Sequence, residues 1–212
     1  MEVLLLNGSP NEKRCTYTAL SQVAAGLEEN GVGAHIHWLG AEPVKPCIGC
    51  GACGRTGRCA FGATDGVNAL IEKAQATDGL VLGSPVFFAG INGSLKSTLD
   101  RLFFAASSRL AFKPGACIVS ARRAGTTAAL EQLNKYINYA QMPQVGSFYW
   151  PMVHGQAVEH VLQDEEGMQI AYQLGANMAW LLKCLEAGAA AGIRPTQPDK
   201  RARTNFIQPS VG

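Results

Sequence analysis

Short apolar runs alternate with helical patterns along most of the chain. The first run, VLLL at residues 3–6, is followed by Asn-Gly-Ser-Pro, which is a turn signal. A short apolar run that ends in a turn is typical of a strand buried on both faces of a parallel sheet. Comparable runs predict strands at residues 79–85 and 115–121, and the alternation of AHIHWL predicts a strand at residues 34–39. A fifth strand, or the approach to one, is predicted at residues 145–150.

The segments between these runs carry apolar residues at helical spacing. The first set falls at i, i+3, i+4 and i+7, with Leu20, Val23, Ala24 and Leu27. Further helices are predicted at residues 67–76, 93–105, 127–139 and 164–189. Strands that alternate with helices predict an α/β fold with a parallel sheet. Five of each suit a flavodoxin-like three-layer sandwich with strand order 2-1-3-4-5.

The length and composition fit one soluble domain. The chain has 212 residues, 47% apolar and 16% charged, with a formal net charge of +2. So small a charge excludes an electrostatic nucleic-acid or membrane footprint, and no apolar run reaches the roughly 18 residues of a membrane span. The first residues, MEVLLLNGSP, lack the basic start of a signal peptide, so a cytoplasmic location is expected.

No composition shift marks a second domain. We therefore predict one domain at residues 1–192, with a cysteine-rich loop at residues 43–66, followed by an extended tail at residues 193–212. In an open parallel sheet, ligands bind beyond the carboxyl ends of the strands, where the strand order reverses. For the predicted order this point lies between the first and third strands, so the loops that follow them are candidate binding loops.

The first candidate loop reads NGSPNEKRCTYT and opens a helix. It offers three candidate hydroxyls and one amide, at Ser9, Thr16, Thr18 and Asn11. Backbone N–H groups at a helix start, together with hydroxyls, suit a phosphate. The loop has neither the G-x-G-x-x-G nor the G-x-x-x-x-G-K-[ST] pattern. The alternative is a plain strand-to-helix turn capped by Ser9 or Thr16.

Two further loops supply flat and cationic side chains. SPVFFAGING places Pro85, Phe87 and Phe88 beside glycines, and aromatic residues at a strand end can pack on a ring. SARRAGTT carries Arg122 and Arg123, and a cation near a reduced flavin stabilises its anionic form. The alternatives are that the phenylalanines belong to the core and that the arginines are surface charges.

Two motifs together resemble the NADPH-dependent FMN reductase family, which has the flavodoxin-like fold. They are LLLNGSPNEKRCTYTAL and GSPVFFAGINGSLKSTLDRLF, and the C-terminal RTNFI is similar to tails in the same group. Within this family, CIGCGACGRTGRC resembles the compact cysteine motif of iron–sulfur flavoproteins. The resemblance implies a bound FMN and a homodimer or homotetramer.

The resemblance also assigns residues to the cofactor. Ser9, Thr16 and Thr18 would hold the FMN phosphate, with Cys15 standing where many members have asparagine. The isoalloxazine would be lined by Pro85, Val86, Phe87 and Phe88. Arg122 and its neighbour Arg123 would lie at the edge of the ring.

Four cysteines fall within thirteen residues, as Cys47-x₂-Cys50-x₂-Cys53-x₅-Cys59. Two-residue gaps let thiolates converge on one iron–sulfur cluster, here a 4Fe–4S cluster. Four thiolates also suit tetrahedral zinc, and a loop of free thiols is the third interpretation. The nearby flavin favours iron over zinc. The other cysteines of the strands and helices, Cys117 and Cys184, are expected in the core.

The leading hypothesis is an FMN-dependent NAD(P)H oxidoreductase that reduces a quinone, flavin, nitro or azo compound. The flavin carries the chemistry, so no catalytic side chain is predicted. One alternative is an iron–sulfur flavoprotein electron carrier that takes electrons from ferredoxin. The other is a flavodoxin-like binding module without turnover. The sequence does not choose between NADH and NADPH or name the acceptor.

Overall fold

One sheet organises residues 1–198, the part of the chain that this computed structural model describes. Its strands are β1 (Glu2–Asn7), β2 (Gly33–Trp38), β3 (Gly79–Phe87), β4 (Gly90–Ile91), β5 (Gly115–Ala121) and β6 (Met152–His154). The parallel strands lie in the order β2-β1-β3-β5-β6, and β4 pairs antiparallel with β3. The predicted α/β fold and its order 2-1-3-4-5 are confirmed, with β4 as a sixth strand.

Helices connect the strands and cover both faces of the sheet. The described residues form α1 (Cys15–Glu28), α2 (Cys53–Thr56), α3 (Val67–Ala76), α4 (Gly93–Leu110), α5 (Thr126–Tyr139), α6 (Val158–Leu162) and α7 (Glu165–Ala190). The five predicted helices are present, and α4 continues five residues beyond its predicted end. The short helices α2 and α6 were not predicted.

The two faces of the sheet pack against different helices because successive side chains of a strand alternate. Val3 and Leu5 of β1 belong to a core shared with α1 and α7. Leu4 and Leu6 belong to a second core shared with α3, α4 and α5. All four side chains are at most 1% exposed, which explains why β1 reads as a continuous apolar run.

Of the two predictions for residues 145–150, a fifth strand or the approach to one, the structure shows the approach. Residues 145–150 form the approach to the strand, and β6 itself begins at Met152. Val145 donates to the Gly115 carbonyl, but the chain then leaves β5 and exposes the aromatic residues 148–150. It returns to β5 at Pro151, whose carbonyl accepts a hydrogen bond from Val119 N–H. Pro151 itself has no N–H to donate.

Two further expectations concern the ends of the chain and Cys184. Cys117 is buried as expected, whereas Cys184 is exposed, because it lies on the solvent side of α7. Residues 193–198 have no regular secondary structure, and the RTNFI motif lies outside the described residues. The division at residue 192 therefore stays a prediction. Within residues 1–198, no helix is long and apolar enough to cross a membrane.

Candidate functional site

The three predicted binding loops meet at the carboxyl edge of the sheet. They follow β1, β3 and β5, which are neighbours in the strand order. Gly8 N–H donates to the Gly83 carbonyl at 2.9 Å, which joins the first loop to β3. The hydroxyls of Thr16 and Ser120 lie 2.8 Å apart and join α1 to β5. The sheet thus holds the three loops around one region.

The first loop forms a tight turn that leads into the start of α1. Ser9 N–H donates to Asn7 Oδ1 at 3.1 Å, and Asn11 N–H donates to Ser9 Oγ at 3.1 Å. Trp38 at the end of β2 donates its indole N–H to the Ser9 carbonyl at 2.8 Å. No side chain caps α1 at Arg14, so the first-turn N–H groups stay available to an anion.

The predicted hydroxyls of this loop point in different directions. Ser9 and Thr16 are buried at the turn, and Asn11 is exposed. Thr18 Oγ1 donates to the Arg14 carbonyl at 3.2 Å, so it would have to rotate to reach a phosphate. The capping alternative for Ser9 and Thr16 is wrong, because α1 has no side-chain cap.

The second loop presents exposed aromatic side chains on a tight hairpin. Phe88 and Ala89 connect β3 to β4, and both have positive φ angles of 51° and 58°. Such a two-residue turn normally uses Asn-Gly, so two other residues here store backbone strain. Phe87 is 48% exposed and Phe88 is fully exposed, so neither belongs to the core. Pro85 and Val86, just before them, are half-buried.

The third loop brings two unpaired cations to the same edge. Arg122 and Arg123 are exposed, and within residues 1–198 neither makes an ion pair or a side-chain hydrogen bond. Gly125, at the start of α5, has a φ of 94° and touches the second loop. A Cβ at this position would lie 2.7 Å from the Ala89 Cα atom, so the two loops are in backbone contact.

Cys15 closes the site toward the loop that follows β6. Its Sγ lies 3.7 Å from the Gly155 carbonyl, and Gly155 N–H donates to the Ala121 carbonyl at 2.9 Å. The thiol is half-buried and contacts a carbonyl rather than the interior of the first loop. At this position, any contact with an anion would come from the Cys15 backbone N–H.

The four cysteines of residues 43–66 line a second, separate pocket. Its volume is about 100 Å³, and Ile48, Phe61, Arg101 and Phe104 complete its walls. Burial raises the pKa of the Cys53 thiol, and the neighbouring thiols of Cys47, Cys50 and Cys59 raise it further. All four are free thiols, and within residues 1–198 no three metal-binding side chains are gathered at ligand distances. The donor set nevertheless has the number and softness that iron and zinc accept.

Cys59 is held more firmly than the other three cysteines. Its backbone N–H donates to Asn68 Oδ1 at 2.8 Å, and Asn68 Nδ2 donates to its carbonyl at 3.1 Å. Its Sγ accepts from Arg101 Nε at 3.1 Å. Cys47 Sγ accepts only a long 3.5 Å bond from Gly49 N–H within its own turn.

Arg101 is a buried cation on α4 that reaches three parts of the cysteine-rich loop. Its side chain is 0% exposed. Besides Cys59, it donates to both Asp65 carboxylate oxygens, at 2.6 and 3.1 Å, and to the Lys45 carbonyl at 3.1 Å. Burial disfavours the charged guanidinium, but the hydrogen bonds to Asp65 and Cys59 outweigh it and raise the pKa of Arg101.

The Arg101–Asp65 pair is expected to make the stability of the fold acid-sensitive. Burial opposes the charged carboxylate, but the Arg101 hydrogen bonds prevail and the pKa of Asp65 is lowered. A lowered pKa stabilises the fold above the unfolded value of about 3.9 and loses that effect as pH falls toward the folded value.

Asp65→Asn should therefore flatten the loss of unfolding free energy below about pH 4. At pH 7 the variant should lose about 2 kcal/mol, less than for a fully buried pair because Asp65 is partly exposed. Urea unfolding at pH 3–7 measures both effects. An unchanged acid slope would contradict the assignment.

The sequence of residues 1–157 matches the family described as NADPH-dependent FMN reductase. This match spans well over half of the chain and includes all three loops and the cysteine pocket. The chain belongs to the NADPH-dependent FMN reductase family. It is therefore an FMN-binding flavoprotein of the oxidoreductase class, as the resemblance of its motifs indicated.

Relatives of this FMN reductase family member include iron-sulfur flavoproteins. One from Methanocaldococcus jannaschii is 28% identical over 197 residues, which cover 88% of this chain and all of the relative. Among solved structures, RosB with bound 8-demethyl-8-formylriboflavin-5′-phosphate superposes with a TM-score of 0.67 at 15% identity, covering 100% of this chain and 94% of RosB. An NAD(P)H:quinone oxidoreductase from Methanothermobacter marburgensis gives 0.64 at 18% identity, covering 84% and 96%. The two structures show the flavodoxin-like fold.

Several residues at the two sites of this FMN reductase family member were not predicted. Ser120 and Trp38 support the first loop, and Asn68 and Arg101 fix Cys59. The signal for Arg101 is weak but present. It shares a helix face with Thr98 and Ala105, and all three are buried, so an arginine there requires a partner.

Proposed function

We propose that this chain is an FMN-dependent oxidoreductase that also holds an iron–sulfur cluster at Cys47, Cys50, Cys53 and Cys59. One structural observation carries the proposal, that the four thiols line a single pocket. The alignment of 88% of the chain with an iron-sulfur flavoprotein supports it. The two sites lie beside the same helix, since the loop after β3 leads into α4 and the cysteine pocket is lined by residues of α4.

The three loops are the proposed FMN site. The open first turn of α1, with Ser9 and Thr16, would bind the phosphate, and Thr18 would join them after rotating. Phe87 and Phe88 with Pro85 and Val86 would line the ring, and Arg122 and Arg123 would balance the negative charge of the reduced ring. FMN, when bound, supplies both hydride acceptance and one-electron transfer.

The four thiols suit a cluster better than zinc for a functional reason. Both groups accept four thiolates in the pocket that Ile48, Phe61 and Phe104 also line, so the choice depends on what each group would add. A cluster, when bound, supplies one-electron exchange beside a flavin. Structural zinc would add no redox function to a flavoprotein.

We propose NAD(P)H as the first electron donor to consider and ferredoxin as the second. The exposed Phe88 leaves the flavin site open to a flat nicotinamide, quinone, nitro or azo compound. The cysteine pocket is the specific observation in favour of a ferredoxin-type one-electron partner. A homodimer or homotetramer is proposed as the working form, and the exposed Phe104 and Tyr139 on α4 and α5 suit such an interface.

Replacing Cys50 with serine is expected to remove the cluster and leave FMN bound. Cys50 is exposed, so the change should cost little stability. Cys184→Ser is the matched control, since it changes another exposed thiol that lies on α7, outside the pocket. Iron and sulfide analysis of anaerobically purified protein should give near-complete loss in the first variant and no loss in the control.

The same preparations separate the donors. Reduction bleaches the visible absorbance of a flavin, so spectra before and after addition of NADPH report hydride transfer. Reduction by NADPH supports the reductase hypothesis. Reduction only by reduced ferredoxin supports the electron carrier. Absence of both iron and sulfide in the unchanged protein would contradict the cluster, and failure to bind FMN would contradict the whole proposal.

A further inference from the structure

The cysteine pocket contains an asymmetry that the four-cysteine motif does not reveal. Cys59 is fixed at its backbone by Asn68 and at its sulfur by Arg101. Cys47 and Cys50 lie on turns with positive-φ glycines at Gly49 and Gly51, and Cys53 begins the four-residue helix α2. Cys59 is thus the thiol that core side chains hold by hydrogen bonds at both its backbone and its sulfur, whereas Cys53 packs partly against the core without such a bond to its sulfur.

Arg101 is placed to act on the sulfur itself. Its Nε–H donates to Cys59 Sγ at 3.1 Å, and its side chain is 0% exposed. The two other donor groups are directed at Asp65 and the Lys45 carbonyl. Because Asp65 and the Lys45 carbonyl hold its two other nitrogens, the planar guanidinium keeps its Nε–H directed at the Cys59 sulfur.

The positive charge of the Arg101 guanidinium is also balanced within the fold. Asp65 accepts two hydrogen bonds from Arg101, and its carboxylate charge balances the guanidinium charge, so the pair is close to neutral. The Asp65 side chain is 23% exposed. Cys59 therefore faces a directed N–H dipole whose cation is compensated. Hydrogen bonds to ligand sulfurs stabilise the more negative, reduced form of an iron–sulfur centre and so raise its reduction potential.

We propose that Arg101 is a positioning residue that fixes Cys59 as the pre-set ligand and sets the reduction potential of the iron–sulfur centre, with Asp65 moderating its charge. This inference rests on the proposed cluster function. It assigns opposite electrostatic effects to two residues of one ion pair, which a purely structural anchor would not produce.

The test uses the intact, anaerobically loaded protein and three variants. Arg101→Gln removes the positive charge and most of the guanidinium N–H donors. Asp65→Asn keeps the Arg101 contact to Cys59 and removes the compensating charge. Arg109→Gln is the matched control, because it changes another arginine of α4 that borders Gly57 of the same loop but donates to Gln75 rather than to a thiol. Far-UV circular dichroism verifies that each variant is folded.

Two readouts are measured, iron retention against a chelator and the midpoint potential from dye titration. For Arg101→Gln, the chelator concentration that removes half of the iron should fall by about 10- to 100-fold, and the potential should shift downward. For Asp65→Asn, the potential should shift upward. The control should match the unchanged protein in both.

The directions of the two potential shifts distinguish a potential-setting role of Arg101 from a purely structural one. Opposite shifts in the two variants support the proposal. Shifts in the same direction, or weaker iron retention with an unchanged potential, would make Arg101 a structural anchor only and overturn it. If Arg101→Gln does not fold, Arg101→Lys replaces it and should also lower the potential, since lysine lacks the planar guanidinium. Unchanged protein without iron and sulfide would refute the proposed function, and this inference with it.

Discussion

Replacing Gly175 with alanine is expected to lower the free energy of unfolding by about 3 kcal/mol. Gly175 of α7 lies against α1 so closely that an added Cβ would be 2.0 Å from the Val23 carbonyl oxygen. The reverse contact is equally close, since a Cβ on Gly26 of α1 would be 2.1 Å from the Tyr172 carbonyl. The obstacle is backbone in both cases, so the helices must separate and lose buried contact along their length.

Gly188 provides a matched control within the same helix. A Cβ there meets only Ile193 at 3.9 Å, and the backbone is helical, so Gly188→Ala should stabilise by about 0.5–1 kcal/mol. Chemical unfolding followed by circular dichroism measures both changes. Equal effects for the two variants would show that the α1–α7 contact is not as close as the structure has it.

This contact also matters for the functional site. The first turn of α1 offers its N–H groups at the loop proposed to bind the FMN phosphate, and α7 packs against the same helix. A shift of α1 would move that turn relative to Ser120, whose hydroxyl lies 2.8 Å from Thr16. The stability prediction and the binding site are therefore linked through one helix.

The apolar pattern of the chain was sufficient to place β1, β3 and β5, because these strands are buried on both faces, and the strand order followed from the fold that alternating strands and helices suit. The pattern did not predict segments in which tertiary packing overrides the local conformational preferences of the residues. The turn at Phe88 and Ala89 contains no residue that normally favours positive φ, so β4 was not predicted. Of the two interpretations of residues 145–150, the approach to the last strand is the correct one, because the aromatic residues 148–150 resemble a strand but are turned toward solvent.

The two sites were predictable to different degrees for a similar reason. The loops of the proposed flavin site follow neighbouring strands of the sheet, so their meeting is a consequence of strand order. The cysteine spacing is local and visible in the sequence. Arg101 lies 42 positions after Cys59, and only the folding of residues 43–66 against α4 brings them together. Contacts of this kind depend on loop conformation, which periodicity does not encode.

Replacing Gly125 with alanine is expected to weaken FMN binding by about 10- to 100-fold, equivalent to about 1.4–2.8 kcal/mol. Gly125 has a φ of 94°, and its Cβ would lie 2.7 Å from Ala89 Cα and 3.0 Å from Ala89 Cβ. The added methyl group must push the second and third loops apart. Under the proposed function, these two loops carry Phe87 and Phe88 on one side and Arg122 and Arg123 on the other, so the ring would lose contact with one set.

The backbone strain of the substitution must be separated from this displacement. Gly192, just after α7, has a similar φ of 83°, and a Cβ there would meet nothing within 4 Å. Gly192→Ala should therefore cost a comparable strain of about 1–2 kcal/mol in stability and leave FMN binding unchanged. Titration of apoprotein with FMN, followed by quenching of flavin fluorescence, gives the dissociation constants. Unchanged affinity in Gly125→Ala would place the flavin away from the contact between these loops.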